Sequence, residues 1–132
     1  MKKLFAVVIL LLAFVATAVG HHSFASEFDG SKMQTIKGTV TEFQWMNPHA
    51  YIYLDVTDAS GKKVNWGIQS RNLSVLKRQG LSRQTFKAGD VITVELFHHR
   101  DPEKNIGWAT YVTTADGHKF DLRPGSGLGI IE

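Results

Sequence analysis

Cysteine is absent from the 132 residues. Its absence excludes disulfides, thiolate-bound zinc, iron–sulfur clusters and thiol catalysis, and leaves histidine and carboxylate as the available metal ligands. Proline is scarce, at three residues, so Pro48 stands out where it interrupts an otherwise regular pattern. An excess of charge of one sign is lacking too. The formal charge is +3, but Lys2 and Lys3 sit in a leader, and the remainder carries 13 basic against 12 acidic residues. That balance gives no electrostatic footprint for nucleic acid or an anionic membrane surface. Long apolar runs are missing except for one, from Leu4 to Val15.

That run follows Lys2-Lys3 and precedes the small residues Ala16-Thr17-Ala18-Val19-Gly20, which is the pattern of a secretory signal over residues 1–20. It predicts a periplasmic or secreted protein that leaves the membrane once cut; an uncleaved anchor is the alternative. Two cleavage positions fit the small-x-small rule, after Ala18 and after Gly20. The choice decides the chemistry of the new terminus. A cut after Gly20 exposes the amine and imidazole of His21, which together chelate one ion, and a further imidazole from His22 or His49 completes a planar nitrogen set suited to Cu(II). A cut after Ala18 leaves Val19-Gly20-His21, whose amine, two amides and imidazole form another square-planar set.

About 110 residues remain after the leader, enough for one modest core. Residues 21–34 read as an arm with Phe24, Phe28 and a turn at Asp29-Gly30. Met33 to Gln44 alternates with period two, Ile36, Gly38 and Val40 on one face, and predicts a first strand. Trp45-Met46-Asn47-Pro48 breaks it, because Pro48 lacks a backbone donor. Ala50 to Thr57 alternates again, with Ile52, Leu54 and Val56 opposite Tyr51, Tyr53 and Asp55. A turn at residues 58–61 leads to a third strand through Val64, Trp66 and Ile68. Asn72 fits an N-cap, Leu73, Val75 and Leu76 an apolar stripe, and Gly80 a C′ residue, which predicts one short helix. Val91 to Phe97 and Ile106 to Thr114 supply two more strands, the second with a hairpin extension through residues 119–122. The order β-β-β-α-β-β predicts an all-β domain with one short helix, an OB-like five-stranded barrel over residues 35–122, with a flexible tail at 123–132. A β-sandwich is the alternative, but it usually needs about seven strands.

All six histidines follow the leader: His21, His22, His49, His98, His99 and His118. The adjacent His98 and His99 point to opposite faces of a regular strand, so at most one joins any site. His118 follows a turn. His49 follows the Pro48 break, where an irregular backbone re-aims side chains. Catalysis finds little support: no serine has identifiable His and acid partners, no Gly-rich phosphate loop follows a strand, and the carboxylates Asp55, Asp58, Asp90, Asp101 and Asp116 fall mainly at turns. Tyr51, Tyr53 and Trp45 with Lys37, Lys62, Lys63 and Arg71 outline a nucleic-acid face, but export and the near-neutral charge argue against it.

The set His21-His22-Ser23-Phe24, Glu27-Phe28-Asp29, Gly38-Thr39-Val40, Trp45-Met46-Asn47-Pro48-His49 and Trp66 resembles a family of exported bacterial proteins known as domain of unknown function family 6152. Residues 76–80, 87–90 and 116–117 also resemble its pattern, whereas His98-His99-Arg100-Asp101-Pro102 departs from it. The resemblance implies export, a small β domain and a mature chain that starts at His21, and it brings no activity. The expectation is an exported binding or accessory domain rather than an enzyme, with copper as candidate cofactor and His21, His22 and His49 as metal ligands. A protein-interaction domain using Tyr51, Tyr53 and the apolar tail, and a copper-dependent redox enzyme, are the alternatives. The partner is expected to be a protein or small molecule, not nucleic acid or membrane.

Overall fold

A computed structural model describes residues 24–123. The expected leader, His21, His22 and the expected tail beyond Arg123 lie outside the described residues. A helical segment over residues 24–27 runs directly into β1 (Phe28–Gln44), which is followed by β2 (Tyr51–Thr57), β3 (Lys63–Gln69), a helix α1 (Leu73–Arg78), β4 (Val91–His99), β5 (Ile106–Thr114) and β6 (Lys119–Asp121). β1 pairs antiparallel with β2 and β4, β2 with β3, and β4 with β5. A parallel pairing of β3 with β5, at Gly67↔Ile106 through Gln69↔Trp108, closes the five strands into a barrel. This is the OB-like order expected from the sequence, and β6 is the hairpin extension on β5.

Alternation explains the core. Ile36, Val40, Ile52, Leu54, Trp66, Ile68, Ile92, Val94 and Leu96 all face inward and are buried, each contributing roughly 1.5–3 kcal/mol of transfer free energy. β1 serves two partners: residues 33–39 pair with β4 and residues 39–44 with β2. Gly38 lies next to the point where the two pairings overlap, and a Cβ there would sit 2.6 Å from the Asp55 carbonyl oxygen, a distance only a residue without a side chain permits.

The helix forms for the reasons its sequence suggests. Asn72 Oδ1 accepts from Val75 N at 3.0 Å, Leu76 is fully buried, Lys77 and Arg78 occupy the last turn, and Gly80 takes a φ of +85° just past the C-cap. The expected start of β1 requires correction. The strand begins at Phe28, not Met33, and Asp29-Gly30 is part of an irregular stretch between the pairs Phe28↔His99 and Met33↔Phe97 rather than a free turn. The physical reason is long-range. Phe28 is 1% exposed and belongs to an aromatic cluster outside the main barrel core, which draws the arm onto β4, while Asp29 Oδ1 accepts from Ser31 N and Oγ within the bulge.

The turn carboxylates are structural. Asp58 Oδ1 accepts from Ser60 N, Ser60 Oγ and Lys62 N, and its carboxyl is held below the ordinary carboxylate range, chiefly by the Ser60 hydroxyl. Asp116 is held low in the same way by the Thr114 hydroxyl and the His118 N–H. Because the folded pKa lies below the unfolded one, the contribution is fully present above about pH 4 and is lost as pH falls through the folded value. The melting temperature is therefore expected to fall between pH 5 and pH 3, and to fall less in Asp58→Asn. Equal acid sensitivity in the two proteins would remove this turn from the account.

Candidate functional site

The site grows from the break between β1 and β2. Residues 47–50 lie along the β3–α1 connection: Ser70 N donates to the Ala50 carbonyl at 2.8 Å, Ala50 N to the Arg71 carbonyl at 3.1 Å, and Leu73 N to Asn47 Oδ1 at 3.0 Å. Pro48 ends the preceding pattern, and these bonds satisfy the backbone groups it leaves unpaired. His49 is fixed within this frame. Its Nδ1 lies 3.0 Å from the Ser70 carbonyl oxygen. A carbonyl only accepts, so Nδ1 carries the proton and, in the neutral ring, Nε2 keeps its lone pair. Ser70 is 1% exposed, which strengthens the bond by excluding water. Metal-binding imidazoles are commonly oriented in this way, with the second nitrogen tied to a backbone carbonyl.

The His49 ring packs edge-on against Trp108 of β5, centroid to centroid 5.4 Å. The same indole receives the arm. Phe24 meets Trp108 at 5.4 Å and Phe97 at 5.9 Å, and stacks on Phe28 at 5.6 Å. Phe28 in turn meets Trp108 and His99. Two hydrogen bonds from Arg100 hold the arm from the other side, Nε to the Ala25 carbonyl at 2.6 Å and the backbone N to the Glu27 carbonyl at 2.8 Å. Trp108 thus contacts both His49 and Phe24, the first described residue of the arm. His22 is two residues and His21 three residues before Phe24 in the sequence.

The other histidines separate. His98 faces Trp66 at 5.1 Å and donates from Nδ1 to the His99 carbonyl at 2.7 Å. His99 turns the opposite way onto Phe28, and its Nδ1 accepts from Asp101 N at 2.9 Å, so its neutral form carries the proton on Nε2. His118 is exposed at the other end of the barrel, its ring 4.5 Å from Phe120. Among the described residues no three His, Asp or Glu side chains converge in a way that could hold a metal ion. Of the expected ligands, only His49 is therefore placed, and His21 and His22 lie outside the described residues.

Trp108 and Arg100 are the contributors that sequence patterns did not single out. Trp108 occupies an outward position of an alternating strand, where an aromatic has no special signal, and Arg100 sits in a loop. Tyr51, two residues past His49, has its hydroxyl pKa raised by burial, with Tyr53 and the Glu27 carboxylate adding to the effect.

No helix among the described residues is long and apolar enough to cross a membrane. A family model described as a family of unknown function (DUF6152) matches residues 8–107. No curated protein and no solved structure matches the chain.

Proposed function

Because the chain belongs to DUF6152, a family of unknown function, from which no activity can be carried over, we propose from the site itself that it is an exported, periplasmic binding domain that holds Cu(II). The ligands in this reading are the amine and imidazole of His21, as the first residue of the mature chain, and Nε2 of His49, with His22 as a further imidazole. The observation that carries it is the orientation of His49. Its Nδ1–H is committed to the Ser70 carbonyl and its ring rests on the indole that also anchors the arm. A fixed imidazole and a tethered terminus supply nitrogen donors at high effective concentration. A planar nitrogen set favours Cu(II) over harder ions. Asp58, Asp90, Asp101 and Asp116 each hold a turn N–H with one carboxylate oxygen.

The test begins with mass spectrometry of the exported protein, where a first residue of His21 is expected. Cu(II) titration of that material is expected to give one tight site per chain, lost in His21→Ala, weakened in His49→Ala and unchanged in His98→Ala. A mature chain beginning downstream of His21, or equal affinity in His49→Ala, would remove the reading.

A further inference from the structure

The outer face of β2 and β3 carries a second feature, independent of the copper reading. Tyr51 and Tyr53 alternate outward on β2, both half-buried, with ring planes 22° apart and centroids 6.4 Å apart. Gly67 of β3 lies across from Tyr53, and a Cβ on it would stand in ordinary contact, 3.4 Å from the Tyr53 ring. The Tyr53 ring therefore reaches the neighbouring strand at Gly67. The result is a two-ring aromatic strip along the sheet.

The groups that flank the strip are polar amides and carboxylates. In the sheet, Tyr51 is paired with Gln44 and Gln69, and Tyr53 with Glu42 and Gly67. Gln44 Nε2 donates to Glu42 Oε1 at 3.0 Å. One step along, Asn65 Nδ2 donates to Asp55 Oδ1 at 2.9 Å and to Thr41 Oγ1 at 3.2 Å. None of the residues paired with the two tyrosines is basic. Aromatic platforms serve bases and sugars alike, but a phosphate backbone needs cations along its path, and carboxylates beside the rings repel it. A neutral pyranose fits both parts: its C–H face packs on an aromatic ring, and its hydroxyl rim donates to carboxylates and exchanges hydrogen bonds with amides.

We propose that the Tyr51–Tyr53 strip, with Glu42, Gln44, Asn65 and Gln69 along its edges, is a binding site for an uncharged oligosaccharide. Each ring stacks one face of a sugar unit, and the side chains at the edges take the hydroxyls. Faces of this strand pair in OB-type barrels are suited to extended polymers.

Calorimetric titration of the mature protein with cellohexaose, chitohexaose and maltohexaose, and in parallel with a short thymidine oligonucleotide, tests the proposal. Saturable binding of at least one hexasaccharide and none of the oligonucleotide is expected. Tyr53→Ala is expected to weaken it about tenfold or more, equivalent to ~1.4 kcal/mol, while Tyr53→Phe, which keeps the stacking face, and His118→Ala at the far end of the barrel retain it. Circular dichroism of each variant separates loss of the site from loss of the fold; if Tyr53→Ala unfolds, Tyr51→Ala carries the same expectation. Binding by none of the three sugars, binding of the oligonucleotide instead, or full affinity in the alanine variant would overturn the assignment.

Discussion

Replacing Phe28 by alanine is expected to destabilise the domain by about 3–5 kcal/mol, the usual cost of emptying a buried phenylalanine site. Phe28 is 1% exposed although it lies outside the barrel interior. Its ring is surrounded by Phe24, His99 and Trp108, and its backbone begins the pairing of β1 with His99. The cluster therefore acts as a small second core that clamps the arm to the barrel. For a domain of this size the loss is a large share of a total near 5–15 kcal/mol. Urea unfolding should show a lower midpoint, and limited proteolysis should find new cleavage ahead of Met33. A shift equivalent to less than about 1 kcal/mol would mean that the arm is only loosely held.

The second large effect is expected on copper. Trp108→Ala removes the indole that both His49 and Phe24 pack against, and so separates the fixed imidazole from the tethered terminus without deleting any ligand. Loss of a group that orients a ligand typically costs about 10–100-fold in metal affinity, and a drop of that size is the expected outcome of a Cu(II) titration. Trp108→Phe, which keeps an aromatic wall, should recover much of it. Affinity in Trp108→Ala equal to that of the unaltered protein would show that the arm and His49 do not share a site.

These two side chains also mark how far the sequence could be read. Strands β2 to β5 and the helix were legible because their signals are local: alternation at Ile52-Leu54 and Ile92-Val94-Leu96, the Asn72 cap, the Gly80 terminus. The barrel followed from the order of elements. The extension of β1 to Phe28 was not legible, because what creates it is contact among residues near positions 24, 28, 97 and 108, and periodicity within one segment carries no information about such contacts. His49 could be picked out by its place after Pro48. Its tautomer could not, since that depends on the Ser70 carbonyl, twenty-one residues away. The separation of His98 from His99 needed only the geometry of a strand, and their rings do pack on different partners, Trp66 and Phe28. Arg100 shows the opposite case. It lies in a loop just past β4, and only the fold reveals that its guanidinium and backbone tie down residues 25 and 27.

The arm also gives the two proposed sites a common neighbour. Phe24 packs on the indole beside His49, and the Glu27 carboxylate adds to the rise of the Tyr51 pKa after burial and Tyr53. Arm release by Phe28→Ala is thus expected to weaken copper binding even though no ligand is altered.

The most direct test of the copper reading is electron paramagnetic resonance of the Cu(II)-loaded mature protein, compared with the same preparation of His49→Ala. The account predicts nitrogen couplings that include a backbone-anchored imidazole, with that contribution missing from the variant. Identical spectra from the two proteins would contradict it, because His49 would then not be a ligand.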